Sequence, residues 1–111
     1  MTRLIYTALL AGLALACGGS GSTDPGPAPN QVTIQGFAFA PTPRNVSAGT
    51  IVTWINHDAV NHTSTGGSGA ETWDSGALSQ NGSFSHTFNV PGTYAYACTI
   101  HPGMHGTIVV N

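Results

Sequence analysis

The sequence predicts an all-β sandwich of about eight short strands. Strand-like runs rich in Val, Ile, Thr and aromatic residues alternate with glycine and proline, of which the 111-residue chain has 15 and 7. No window of about a dozen residues keeps the i, i+3, i+4 apolar spacing of an amphipathic helix. Hydrophobic residues make up 41% of the chain, which is enough for one small core.

The individual strands are predicted from the runs that lie between breakers such as Gly49, Pro91 and Pro102. In chain order the candidate strands are 31–39, 44–48, 50–56, 62–65, 71–74, 82–89, 92–98 and 106–110. Because side chains alternate between the two faces of a strand, residues two positions apart share a face. The predicted core-facing residues of two of these strands are Phe84, His86, Phe88, Tyr94, Tyr96 and Cys98.

The N-terminal residues are predicted to precede the folded unit. Residues 1–16 have the positive start and the short apolar run of a signal peptide. Residues 17–30 are a Gly/Ser/Pro-rich linker, and residues 31–111 are the predicted domain. Two processing routes stay open: cleavage after Ala16, or lipidation of Cys17, which would tether the protein to a membrane. Both routes predict an exported protein, periplasmic or in the cell envelope.

Charged residues are rare, at 5% of the chain, with two Lys or Arg and four Asp or Glu. An ordinary soluble domain has about 25%. Once the signal peptide is removed, Arg44 is the only arginine, and the chain has no lysine. This excludes nucleic-acid binding, because one arginine cannot neutralise a phosphate backbone. It also excludes a polybasic membrane patch.

Three residues with metal-binding chemistry occur close together near the C-terminus, in the stretch CTIHPGM: Cys98, His101 and Met104. A thiolate, an imidazole and a thioether are soft or borderline ligands, which favour copper over calcium or magnesium. A trigonal copper site with a weak axial methionine needs a second imidazole, which must come from elsewhere in the chain. The other histidines are His57, His62, His86 and His105.

Structural roles are the alternative interpretation of the same residues. Cys98 could be a buried thiol or could form a disulfide with Cys17, since an exported protein is oxidised. Met104 could be a core residue, which is the usual role of a lone methionine.

A family resemblance favours the metal-site interpretation. The stretch TYAYACTIHPGMHGTIVV resembles the ligand loop of the plastocyanin/amicyanin group of cupredoxins, which are blue (type 1) copper electron carriers. VTWINHDAVNHT resembles the first ligand region of the same family, and FAFAPTPRNVSAGT and WDSGALSQNGSFSHTFNVPGTY resemble its other strands. The resemblance covers residues 31–111. It implies a cupredoxin-like Greek-key β-sandwich with one copper ion as its cofactor.

The resemblance also implies the role of each ligand. His62 and His101 would be the equatorial imidazoles, Cys98 the thiolate and Met104 the weak axial ligand. The two-residue gaps between Cys98 and His101 and between His101 and Met104 resemble the short amicyanin loop. The implied function is one-electron transfer between redox partners, with no enzymatic activity. The alternative is a cell-envelope module that uses the same ligands to bind or deliver copper without electron transfer.

The resemblance further implies how a redox partner would dock. The edge of His101 would reach the surface, ringed by Pro102, Gly103 and the apolar segment 37–41. Such a face predicts transient, mainly apolar docking with little salt dependence. An amide near Asn61 would donate to the cysteine sulfur, because Pro102 has no N–H. No signal for an oligomer is visible, so a monomer is expected.

The remaining titratable residues are predicted to have no role in chemistry. His57 is expected to lie in the turn before His62, His86 to face inward or lie at a sheet edge with a hydrogen-bond partner, and His105 to be solvated. The acidic residues are expected to be surface charges or loop hydrogen-bond acceptors: Asp58, Glu71 and Asp74.

Overall fold

The computed structural model describes residues 30–111, which form nine strands and no helix. In chain order the strands are β1 (Gln31–Ile34), β2 (Phe39–Ala40), β3 (Arg44–Val46), β4 (Thr50–Asn56), β5 (Thr65–Ser68), β6 (Glu71–Asp74), β7 (Ser83–Phe88), β8 (Gly92–Ala97) and β9 (His105–Val110). The predicted signal peptide and nearly all of the predicted linker, including Cys17, lie outside the described residues. No helix that could cross a membrane is found within 30–111.

The strands form two sheets, as the predicted sandwich requires. One sheet has five strands in the order β3-β9-β8-β5-β6, and the other has four in the order β2-β1-β4-β7. The pairs β1–β4 and β3–β9 are parallel, and all other pairs are antiparallel. The sequence runs back and forth between the sheets, so residues distant in the chain meet at one end of the sandwich.

One aromatic core joins the two sheets. Trp54 of β4 packs against Trp73 of β6 and Tyr96 of β8, with ring centroids 5.7 and 5.4 Å apart. Burial alternates along β4 and β8, as the period-two pattern predicts. The buried hydrophobic residues are Val32, Ile34, Phe39, Val46, Val52, Trp54, Trp73, Leu78, Phe88, Tyr94, Tyr96, Cys98, Met104, Ile108 and Val110.

The strand predicted over 31–39 is in fact two strands joined by a turn. Gly36 and Phe37 have φ values of 65° and 59°, which interrupt the extended backbone. The Asp58 carboxylate accepts hydrogen bonds from both of their amides. Strand periodicity could not show this turn, because a residue 21 positions further along the chain stabilises it.

The strand predicted over 62–65 begins later than expected. His62 forms only an isolated bridge with Leu78, and the regular strand β5 starts at Thr65. The amide and carbonyl of His62 both bond to Leu78, with N···O distances of 3.1 and 2.7 Å. This pairing fixes the backbone at His62 although no long strand runs through it.

A buried carboxylate joins the two sheets at one open edge. Glu71 lies on β6, an edge strand of the five-stranded sheet, and is 5% exposed. Its Oε1 lies 2.8 Å from Nε2 of His86 on β7, the edge strand of the other sheet. Its Oε2 accepts hydrogen bonds from the amides of Asn89 and Val90. The predicted hydrogen-bond partner of His86 is therefore confirmed. Glu71 is not a surface charge: it is a buried strand residue whose carboxylate accepts hydrogen bonds from the loop after β7.

Gly66 lies where strand β5 meets β8 with no space for a side chain. A Cβ at this position would lie 2.5 Å from the carbonyl oxygen of Ala95 and from the Cα of Tyr96. Because both contacts are with backbone, we expect Gly66→Ala to lower the free energy of unfolding by about 2 kcal/mol. Gly103→Ala is the control, because nothing lies within 4 Å of its added Cβ. Urea unfolding of the metal-free variants measures both, and equal stabilities would contradict the expectation.

Candidate metal centre

His62 is held by the segment that follows β4. Asn56, at the end of β4, is fully buried, and its Nδ2 donates to the carbonyls of Val60 and Leu78. Its Oδ1 accepts the amide of Asp58. These bonds close the turn between Asn56 and His62, and the bridge to Leu78 completes the support. The His62 side chain is fully buried, and hydrogen bonds of the surrounding backbone fix its position.

The second group of candidate ligands comes from the loop between β8 and β9. The Met104 amide donates to the His101 carbonyl at 2.9 Å, and the Cys98 amide donates to the Met104 carbonyl at 3.1 Å. The loop thus closes on itself within seven residues, 98–104. Cys98 and Met104 are buried, whereas His101 is partly exposed. His101 therefore reaches the surface, as the resemblance implied.

Three donor atoms from these two segments converge. The Cys98 Sγ lies 3.7 Å from Nδ1 of His62 and 3.7 Å from Nδ1 of His101. The two Nδ1 atoms are 3.1 Å apart. All three atoms lie within 4.8 Å of one another, close enough to bind a single ion. Within residues 30–111 this is the one group of three or more Cys, His, Asp or Glu residues so arranged.

The environment of Cys98 favours the thiolate. Burial opposes the charged form, but the Thr63 amide donates to Sγ at 3.3 Å and both imidazoles lie close by. These contacts outweigh burial and lower the pKa of Cys98 to about 6. A donor near Asn61 was expected, and the donor found is the amide of Thr63. The Thr63 hydroxyl also accepts the Thr99 amide, which ties the two ligand segments together.

A carboxylate fixes the far side of the His62 ring. Nε2 of His62 lies 2.9 Å from Oδ2 of Asp58, which leaves Nδ1 directed at the other donors. The amides of Phe37 and Gly36 donate to the same carboxylate and, with His62, hold the pKa of Asp58 below its usual value. Asp58 was predicted to be a surface charge or a loop hydrogen-bond acceptor; the structure shows the acceptor, and its contact with His62 was not predicted. A spacing of four residues brings two side chains together in a helix, but the segment from Asp58 to His62 is not helical, so the spacing did not indicate the contact.

The other predicted residues lie where the sequence suggested or are not part of the centre. His57 and His105 are exposed, and His86 is at the sheet edge with Glu71. Phe37 was expected only as part of the apolar segment 37–41, yet its ring contacts both His62 and His101.

The donor set fits copper. The converging donors are a buried thiol with a lowered pKa and two imidazoles, which are soft and borderline ligands, whereas magnesium and calcium require oxygen ligands. The Met104 thioether, another soft group, is buried at the end of the same loop. Cys98 is a free thiol in the structure, so it is available as a ligand.

Comparisons with known proteins point to the same metal. Residues 28–111 match the family described as copper binding proteins, plastocyanin/azurin family. The chain is 37% identical to amicyanin-alpha of Methylorubrum extorquens over an alignment of 118 positions, gaps included, that covers 99% of each chain. It is also 38% identical to amicyanin of Paracoccus denitrificans over 69 residues, which cover 60% of this chain and 53% of that protein.

Solved structures show the same fold. The Cu(I) form of an amicyanin mutant matches 73% of this chain and 80% of its own, with a TM-score of 0.67 and 34% identity. A copper-containing nitrite reductase from Thermus scotoductus SA-01 matches 82% of this chain, with a TM-score of 0.71 and 29% identity. That match spans only 24% of the reductase chain. With this fold, these relatives and a copper-type donor set, the chain belongs to the plastocyanin/azurin family of copper-binding proteins, as an amicyanin-like cupredoxin.

Proposed function

We propose that His62, Cys98, His101 and Met104 bind one type 1 copper ion and that the protein uses it to carry single electrons. The observation that carries this proposal is the convergence of one thiol sulfur and two imidazole nitrogens within 4.8 Å. Met104, buried at the end of the same loop, would add its thioether as a weak fourth ligand. When bound, copper would supply a centre that accepts and releases one electron.

The residues around the centre would keep its geometry the same in both oxidation states. His62 is fixed by the Leu78 bridge and by the Asp58 carboxylate. Cys98 is fixed by the amide bond to Met104 and by the Thr63 donor to its sulfur. Because these supports are hydrogen bonds within a β scaffold, little rearrangement would accompany electron transfer. The Thr63 bond and the buried setting would also tune the reduction potential.

Electrons would pass through the partly exposed edge of His101. The large hydrophobic side chains exposed on the neighbouring segments are Phe37 (51%), Val60 (43%) and Ile100 (46%). With only one arginine after residue 3 and no lysine, the protein offers little charge for docking. A redox protein partner would therefore bind transiently through apolar contacts, at a rate that depends little on salt. We propose that the chain acts as an electron carrier without enzymatic activity. We expect it to be a monomer.

Electron self-exchange distinguishes a carrier from a copper-delivery module. We expect nuclear magnetic resonance lines of a mixed Cu(I) and Cu(II) sample to broaden with protein concentration, because electrons exchange between molecules. The broadening should change little between low and high salt. A protein that binds copper but shows no exchange between its oxidised and reduced forms would favour the delivery function.

Asp58→Asn tests the support of His62. The amide cannot replace the carboxylate at Nε2 of His62 and at two backbone donors simultaneously, because it has only one acceptor oxygen. We expect about a 10–100-fold loss of Cu(II) affinity, as for other residues that hold metal ligands. Competition with a chelator of known affinity measures the loss. Asp74→Asn is the matched control, and equal affinities for the two variants would contradict the role of Asp58.

The N-terminal segment supports export of the protein. We propose that residues 1–16 are a signal peptide and that residues 17–30 tether or space the domain 31–111. If Cys17 is lipidated, the lipid would hold the domain at a membrane surface. Mass spectrometry of the mature N-terminus identifies the form: an acylated cysteine indicates the lipoprotein, and an unmodified terminus at Cys17 indicates the soluble one.

A further inference from the structure

The turn between β1 and β2 places one aromatic side chain against both imidazoles of the centre. The Phe37 ring centroid lies 5.0 Å from that of His62 and 4.8 Å from that of His101. The interplanar angles are 86° and 77°, so both contacts are edge-to-face. This is a preferred geometry for aromatic rings, because it pairs the positive edge of one with the negative face of the other. Within residues 30–111, Phe37 is the one aromatic side chain besides the imidazoles themselves that contacts either ring.

Phe37 occupies this position at a conformational cost. Its φ of 59° is unfavourable for a residue other than glycine, and such outliers concentrate at functional sites. Its side chain is 51% exposed, so burial in the core does not explain the conformation. The backbone is anchored by Asp58, whose Oδ2 accepts the Phe37 amide at 3.0 Å. The same oxygen lies 2.9 Å from Nε2 of His62, so one atom fixes both the Phe37 turn and the His62 ring.

The two imidazoles differ in what else holds them. His62 is fully buried, with Asp58 at its Nε2. His101 is partly exposed on a loop, and within residues 30–111 its ring pairs with the rings of Phe37 and His62 and its Nδ1 lies 3.7 Å from the Cys98 sulfur. No hydrogen bond to Nε2 of His101 is present within residues 30–111. The orientation of the more exposed imidazole therefore depends on packing.

We propose that Phe37 is a positioning residue, anchored by Asp58, that holds the His101 imidazole in the orientation in which it can bind copper. The inference rests on the proposed ligand set and adds to it a residue that acts through a ligand. Because Phe37 also contacts His62, it fixes the angle between the two imidazoles as well as the position of one. The ring restrains the ligand that borders solvent, where the β scaffold gives least support.

Four substitutions separate the ring from the strained backbone. Phe37→Ala and Phe37→Gly both remove the ring, but only glycine relieves the positive φ. Phe37→Tyr keeps the ring, and Phe37→Leu keeps apolar volume without it. We expect the Ala and Gly variants to lose about tenfold in Cu(II) affinity and to show an altered electron paramagnetic resonance spectrum. Phe37→Tyr should keep the wild-type Cu(II) affinity and spectrum, and Phe37→Leu should not.

A second readout needs no metal. In the metal-free protein, ring relaxation by nuclear magnetic resonance should show greater motion of His101 in Phe37→Ala and Phe37→Gly, and wild-type order in Phe37→Tyr. Ile51→Ala is the control, because Ile51 is 55% exposed at the start of β4 and should change neither readout. Wild-type spectra and His101 order in Phe37→Ala would overturn the proposal. Full rescue by Phe37→Leu would also overturn it, since apolar volume alone would then suffice.

Failure of this inference can be told apart from failure of the ligand set. If Cys98→Ser abolishes the Cu(II)–thiolate absorption while all Phe37 variants behave as wild type, only the role of Phe37 is wrong. If Cys98→Ser keeps that absorption, the ligand set itself is wrong.

Discussion

Replacement of Cys98 by serine is expected to abolish the intense blue absorption of the Cu(II)-loaded protein. That absorption arises from the bond between copper and a cysteine thiolate, and serine supplies no such ligand. Cys98 is the cysteine at the centre, with its sulfur 3.7 Å from each of two imidazole nitrogens. The substitution is nearly isosteric, so the β-sandwich should remain folded. Visible absorption of the variant after addition of one equivalent of Cu(II) measures the loss.

Cys17→Ser is the matched control for this prediction. The chain has two cysteines, and the other one precedes the domain. A Cys17→Ser protein should therefore keep the full blue absorption. A Cys98→Ser protein that stayed blue would refute the assignment of the thiolate. A Cys17→Ser protein that lost its colour would refute it as well.

Removal of the Glu71 carboxylate is expected to cause the largest loss of stability among the changes considered. Glu71→Ala removes three hydrogen bonds, to His86 and to the amides of Asn89 and Val90, and leaves these donors without their partner. Hydrogen bonds to a buried charged group are stronger than neutral ones, so we expect a loss of about 3 kcal/mol. That is a large fraction of the about 5–15 kcal/mol typical of a small domain. Urea unfolding of the metal-free protein at neutral pH measures it.

The contribution of Glu71 should depend on pH. Burial opposes its ionisation, but the bonds from His86, Asn89 and Val90 outweigh burial and lower the pKa of Glu71 below the ordinary 4.5. A carboxyl whose pKa falls on folding stabilises the protein fully above pH 4.5, and this contribution is lost as the pH falls through the folded value. The stability difference between wild type and Glu71→Gln should therefore shrink in acid.

Two comparisons make the Glu71 result specific. Glu71→Gln should be less damaging than Glu71→Ala, because the amide oxygen can still accept from the two backbone donors. Asp74→Ala, at an exposed site on the same strand, should cost less than about 1 kcal/mol. A loss at Asp74 as large as that at Glu71 would contradict a special role for the hydrogen bonds that Glu71 makes between the two sheets. If the stability difference between wild type and Glu71→Gln did not change with pH, the lowered pKa of Glu71 would be contradicted.

Much of the fold could be predicted because its signals are local. The alternation of Tyr94 and Tyr96 with small residues identified the core face of β8, and the structure confirms that both are buried. The breakers placed most strand ends within one or two residues. The strand predicted over 31–39 was wrong in its length, because the turn at Phe37 depends on Asp58, a contact that no local pattern reveals.

The centre could be predicted in part for the same reason. The spacing of Cys98, His101 and Met104 within one loop is a local signal, and the resemblance added His62 from another segment. The structure brings Cys98, His62 and His101 together as expected. What the sequence could not show is the surrounding support. The Phe37–Asp58 and Thr63–Cys98 contacts join residues 21 and 35 positions apart, and they depend on how the two sheets pack.

One absorption titration tests the central claim most directly. Cu(II) is added in steps to the purified metal-free protein, and the visible spectrum is recorded before and after chemical reduction and reoxidation. A type 1 electron carrier predicts a blue absorption that saturates at one equivalent, disappears on reduction and returns fully on reoxidation. Copper binding without that absorption, or colour that does not return after one cycle, would contradict the claim.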